Sequence, residues 1–245
     1  LSEEHVLSVD PQWSTADKRG HGTAMAGVAL YGDLKDLLNH TDTVQLRHRL
    51  ESVKILPDTG SNDPDLYGAL TSQAASRIEI VAAEQSRRAY CLTVTADGED
   101  EGLPSSWSGA VDQICSGADE PGNPRRLVIV SAGNVLTEDR RRYPDRNMLS
   151  GIEDPAQAWN AITVGACTHL ATIYDVDYRD WKPMARPGAL SPASRTSVSW
   201  EDRSWPLKPD IVMEGGNDAI SPDGKCVDSV DDLGILTTRM SATGA

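Results

Sequence analysis

The chain has 245 residues, 39% of them apolar, and its 23 basic and 37 acidic residues leave a formal charge of −14. That length and apolar content suffice for one sizeable core, so a single domain is expected. The charge repels phosphate backbones, which argues against nucleic acid as a partner; the apolar runs fall far short of the ~20 residues that cross a bilayer, which argues against a membrane span. Residues 1–20 also lack the charged-then-apolar layout of a signal peptide.

In chain order, Gly20-His21-Gly22-Thr23 leads into "TAMAGVAL", small and apolar enough for a buried helix closed by Gly32. "DLKDLLNHTDTVQLRHRLE" looks amphipathic and solvent-facing, and "SVKIL" reads as a short buried strand. After the polar turn "PDTGSNDPD", the period of "LYGALTSQAASRIEIVAAEQ" is helical and "AYCLTVTA" is rich in strand formers. "SWSGAVDQICSGA" is the next helix, followed by strands at "RRLVIVSAGN" and "NAITVGACT". Strands alternating with helices of this length predict an α/β fold, a mostly parallel twisted sheet with helices on both faces. In such sheets ligands gather beyond the carboxyl ends of the strands.

Cys91, Cys115, Cys167 and Cys226 form no CxxC pair and no zinc-type spacing, so they are expected as buried free thiols, a usage that leans towards a reducing, cytoplasmic compartment. His5, His40, His48 and His169 form no i,i+4 pair and read as surface or satisfied residues. No metal or other cofactor is expected, since no dense Asp/Asn/Gly run offers calcium ligands. "PDTGS" contains the Asp-Thr-Gly of aspartic proteases, but those need two such carboxylates, each after an apolar strand. Here Pro57 interrupts the strand, and Asp58 and Gly60 read as turn residues.

"GHGTAMAG" resembles the histidine motif of the subtilisin-like serine proteases, the subtilases, residue for residue over Gly20, His21, Gly22 and Thr23, with Ala26 and Gly27 at the small positions further along. "VKIL", "CLTVTA", "VIVSAGN", "NAITVGA" and "KPDIVMEGG" resemble further segments of that family in the family's own order, with Met213 and Glu214 in place of Ala-Pro. The resemblance implies a subtilisin-like fold and a serine endopeptidase acting on polypeptide substrates. It implies His21 as general base, Asn134 as the side chain of the oxyanion hole, and Thr93, Val94 and Thr95 as a strand that pairs with bound peptide. An amide aimed at the oxyanion is worth ~3 to 4 kcal/mol of transition-state stabilisation, a magnitude that belongs to subtilisin itself.

The family's order is Asp, His, Ser, with the aspartate well ahead of the histidine. Asp10 and Asp17 lack the Asp-Thr/Ser-Gly context, and Asp17 fits instead a frequent family aspartate just before Gly-His-Gly. The triad aspartate is therefore expected before residue 1. "MSATGA" resembles the approach to the nucleophile, with Gly244 and Ala245 as its last residues, which places the serine one position past the end; Ser241 is not assigned. The expectation is one peptidase domain over residues 1–245, cut at both ends and derived from an active protease. The alternative is an inactive peptide-binding or regulatory relative. The interval from His21 to the expected serine is longer than in subtilisin, and the surplus is expected in the polar loops that begin near Leu136, Tyr178 and Gly216. The acidic run "DGEDEG" beside "CLTVTA" reads either as a feature that favours basic residues in a substrate or as a solvated acidic loop in an already acidic chain.

Overall fold

A computed structural model of the chain describes residues 3–81, 87–97, 103–200 and 206–240. The residues fall into two compact units, one of Leu1–Arg88 with Leu236–Ala245 and the other of Ala89–Ile235.

The first unit contains β1 (Val6–Ser8), α1 (His21–Tyr31), α2 (Leu34–Leu38), β2 (Ser52–Lys54) and α3 (Tyr67–Val81). β1 and β2 pair in parallel, Leu7 opposite Val53. α1 has apolar or small side chains nearly all round, and the segment after Leu236 closes against it: Thr237 Oγ1 donates to Ala24 O at 2.7 Å and Thr238 Oγ1 to Thr23 O at 2.6 Å. α2 is much shorter than the amphipathic run predicted. Its first turn is capped by the Asp33 carboxylate on Lys35 N, and it ends at Asn39, where the chain enters the helix-poor polar sequence His40-Thr41-Asp42-Thr43. α3 forms where the period places it; the "AAEQ" at the end of its predicted run lies outside the described residues.

The second unit contains β3 (Ala89–Leu92), α4 (Ser106–Ser116), β4 (Leu127–Ser131), α5 (Asp145–Leu149), β5 (Ile162–Thr168), β6 (Lys182–Pro183), β7 (Ala189–Leu190), β8 (Ile211–Glu214), β9 (Ala219–Ile220) and β10 (Val227–Asp228). β3, β4, β5 and β8 form the mostly parallel sheet that the alternation of elements predicts, and β7 adds to β5 antiparallel. Alternate residues of β4, Val128 and Val130, are buried, and α4 packs on this strand with Trp107, Val111, Ile114 and Cys115 buried. A reciprocal Ser105–Ser108 capping box starts α4 and the left-handed Gly117 ends it. The "KPD" of the last parallel strand has a structural reason: buried Lys208 donates to Ala161 O at 3.0 Å and to Asp210 Oδ2 at 2.8 Å. That same carboxylate oxygen accepts Thr163 N at 2.7 Å, locking the entry of β8 to β5.

The segments expected as plain loops carry short elements of their own. Thr137–Arg142 is a 3-10 turn followed by α5, and β6, β9 and β10 form a small antiparallel sheet, beside which Ala219, Val230 and Leu233 make a separate apolar cluster. All four cysteines are free, but only Cys115 is buried, which pushes its thiol up to about 11. Cys91 and Cys226 are exposed, contrary to expectation: Cys91 sits on the outward-facing side of β3's alternation and Cys226 in a polar turn. No helix among the described residues is long and apolar enough to cross a membrane.

A side chain at Gly27 would meet the Thr237 and Thr238 hydroxyls and, at 2.8 Å, the Thr238 main-chain nitrogen. Gly27→Ala is therefore expected to lower stability by about 1 to 3 kcal/mol despite its higher helix propensity. Thermal unfolding of the purified variant checks this; an unchanged or raised Tm would contradict the close approach.

Candidate active site

His21 is the first residue of α1 and is exposed. Gly20 before it adopts φ 81°, which a residue with a Cβ seldom does, and offers no side chain to cap the helix. Asp17 supplies the cap from three residues further back. Its Oδ1 accepts the main-chain N–H of Arg19 and Gly20, both at 2.9 Å, and its Oδ2 accepts the N–H and the hydroxyl of Thr23, both at 2.8 Å. Thr23 of the Gly-His-Gly-Thr motif is thereby explained as a partner of this carboxylate. Burial alone would raise the Asp17 pKa, but the donors from Thr23, Arg19 and Gly20 outweigh it and take it from 3.8 to about 2.

The approach to this turn is held in the same unit. Lys54, at the end of β2, donates to Ser14 O and Ala16 O, both at 3.0 Å, and pairs with Asp58; Arg19 Nη2 donates to Gly60 O at 2.7 Å. The Lys54 hydrogen bond holds the Asp58 carboxyl below its ordinary range. Asp58 and Gly60 of "PDTGS" are thus parts of a turn that ties the segment ahead of α1 to β2.

Asn134 stands at the carboxyl end of β4, exposed between buried Gly133 and Val135. The strand's ladder stops at Ser131, and the loop beyond it is fixed by other contacts. Val135 N donates to Ala193 O at 2.8 Å, Asn134 forms a bridge with Ser194, and Arg195 Nε donates to Asn134 O at 2.9 Å. Gly133 adopts φ 89°, and a Cβ there would collide with the Glu153 carboxyl, whose Cδ is at 2.5 Å.

β3 ends at Leu92, earlier than "AYCLTVTA" predicts, so Thr93, Val94 and Thr95 continue past the ladder, half-buried. Ala96 then bridges Asp154 through two 2.9 Å hydrogen bonds, and Thr95 Oγ1 donates to Glu153. Within the second unit the end of the expected peptide-binding segment and the Asn134 loop therefore share Glu153 as a neighbour. Of the acidic run Asp97–Gly102, Asp97 accepts from Arg195 at 3.2 Å, and the other five residues lie outside the described residues. So do Ser241, Gly244 and Ala245 of "MSATGA". Among the described residues no cluster of His, Cys, Asp or Glu could hold a metal ion.

Sequence reasoning did not single out Glu153 or Arg195. Each is a charged residue inside a run of small or apolar ones, "GIEDPA" and "SPASRTS", and that local contrast was the available signal.

The second unit holds a mostly parallel α/β sheet with polar side chains at the carboxyl ends of its strands, and the first unit holds a glycine-flanked histidine at a helix mouth. Residues 2–244 match the model of the subtilase family, a peptidase family, and the chain belongs to it. No curated protein matches the chain. Among solved structures, one titled "Sphericase" is 20% identical, with a TM-score of 0.47 over 90% of this chain and 61% of that one. The chain thus spans about three fifths of the length of that relative.

The Asp17 carboxylate binds its four donors only when ionised, so its contribution to stability is complete above pH 3.8 and fades as the pH falls through about 2. Asp17→Asn is expected to cost about 1 to 2 kcal/mol at neutral pH. The gap between it and the parent should narrow on acidification below pH 4, read by denaturant unfolding at each pH; a gap that stays constant would remove the charge from the explanation.

Proposed function

We propose that the chain forms much of the catalytic domain of a serine endopeptidase that cleaves polypeptides by acyl transfer. What most supports this is the exposed carboxamide of Asn134 at the carboxyl end of β4, between two buried neighbours, in a chain that matches the subtilase family over residues 2–244. An amide on a fixed strand end is a donor that needs no reorganisation when charge develops on a substrate oxygen.

In this reading the His21 imidazole takes the proton of a serine hydroxyl as the oxygen bonds to the scissile carbonyl carbon, and the displaced electron pair becomes an oxyanion that accepts from Asn134 Nδ2. The imidazolium then gives its proton to the leaving amine nitrogen as the C–N bond breaks. Water repeats the cycle on the ester. The main chain of Thr93, Val94 and Thr95 pairs with the extended substrate. No residue of this chain is assigned as the triad aspartate or serine. A Cβ at Gly20 would meet nothing within 4 Å, and one at Gly22 would meet Asp17 Oδ2 at 3.5 Å.

The test is labelling of the intact natural protein with a fluorophosphonate probe, which phosphonylates an activated serine. Labelling is expected in the parent and is expected to vanish in His21→Ala. Asn134→Ala should still fold and should lower kcat by roughly 100- to 1,000-fold. A folded protein that binds peptide but never reacts with the probe would instead be a non-catalytic member of the family.

A further inference from the structure

We propose that Arg195 and Glu153 are positioning residues for Asn134, a charged brace that fixes the geometry of its loop; this rests on the oxyanion role proposed for that asparagine. The main-chain unit between Asn134 and Val135 is held at both ends, its carbonyl by Arg195 Nε at 2.9 Å and its N–H by Ala193 O at 2.8 Å. That double hold fixes the peptide plane from which the Asn134 Cα projects, and the Asn134–Ser194 bridge adds a second restraint on the direction in which the Cα–Cβ bond leaves the loop.

Arg195 is itself immobilised. Its Nη1 donates to Gly151 O at 3.2 Å, and its Nη2 reaches Glu153 Oε1 at 2.7 Å and Asp97 Oδ1 at 3.2 Å. The Arg195 and Glu153 side chains are only 16% and 13% exposed, so their attraction is screened far less than that of a surface pair. Asp97, whose side chain is 86% exposed, adds little by comparison. Glu153 also backs Gly133, accepts the Thr95 hydroxyl, and donates its own N–H to Ala132 O at 3.2 Å. The carboxylate therefore touches the loop on the asparagine side and the end of the expected peptide-binding segment at Thr95.

A planar guanidinium can serve these diverging acceptors at once, whereas an ammonium is a single point donor. Loss of the brace leaves the asparagine attached but no longer aimed, and misplacement by an ångström costs a reaction about a hundredfold. Such a loss falls on the step where the oxyanion forms, hence on kcat rather than on KM.

The experiment is a double-mutant cycle on the intact protein with a chromogenic peptide substrate, paired with amide hydrogen exchange across residues 132–135. Arg195→Ala is expected to lower kcat roughly 10- to 100-fold with KM within about twofold, and Arg195→Lys to recover little of it. In an Asn134→Ala background the same substitution should change kcat less than about twofold, because the donor it aims is gone. Exchange at Val135 N–H should accelerate in Arg195→Ala, and the shape-conserving Glu153→Gln should show both effects in weaker form. Losses that multiply across the cycle, or exchange unchanged in Arg195→Ala, would overturn the brace even with Asn134 catalytic. An Asn134→Ala variant with parental kcat would refute the oxyanion assignment instead, and accelerated exchange would then still support the hold on the loop.

Discussion

Where a strand or helix ends, its main-chain N–H and C=O groups lose their regular partners, and a buried group left without one costs about 1 to 3 kcal/mol. This chain meets that constraint with polar side chains, one from the turn just ahead of its helix and the others from distant sequence. Asp17 covers the N–H groups at the start of α1, and Lys208 covers Ala161 O at the start of β5. Asn147, fully buried, spreads its Nδ2 over the carbonyls of Ser191, Pro192 and Ser194 at 2.8 to 3.1 Å. Arg195 does the same for Asn134 and Gly151. These contacts are linked in space: Asn147 fixes the strap whose next residue is Arg195, and Arg195 fixes the loop that presents Asn134.

The consequence for function is that exposed groups can be precise. An exposed side chain has few neighbours to restrain it, so its aim comes from the main chain that bears it. His21 follows a turn closed by a carboxylate with four donors, and Asn134 follows a glycine backed by a carboxyl group. In each case a glycine at positive φ admits a backbone path that a larger residue would not take, and a charged group from elsewhere removes the freedom the glycine introduces.

How much of this was legible beforehand follows the range of the interactions. β4, β5, α3 and α4 were readable because apolar spacing along a few turns or pleats records local burial, and the order of family-like segments placed His21 and Asn134 on a helix mouth and a strand end. The residues from Asn39 to Glu51 do not continue α2, because amphipathic spacing alone cannot outweigh a stretch of Asn, His, Thr and Asp that competes for its own backbone. β3 was read as too long because Thr93 to Thr95 are strand formers, yet the Ala96–Asp154 bridge takes the chain out of the ladder. Glu153 and Arg195 were invisible to periodicity, since each is defined by a partner far away in sequence.

That last pair is not alone in reaching the main chain of the Asn134 loop: Arg140, paired with Asp218, donates its Nε to Val135 O at 2.9 Å. Arg126–Asp119 and Arg140–Asp218 likewise bring charge out of water, and in such pairs the attraction is largely offset by the lost hydration, so well-packed apolar residues often serve stability as well. Apolar residues could fill the volume of Glu153 and Arg195, but they could not donate to the carbonyl of Asn134 or accept from the hydroxyl of Thr95. A charged pair that touches both segments expected to meet substrate is therefore explained by the geometry it enforces, with its effect on folding free energy secondary.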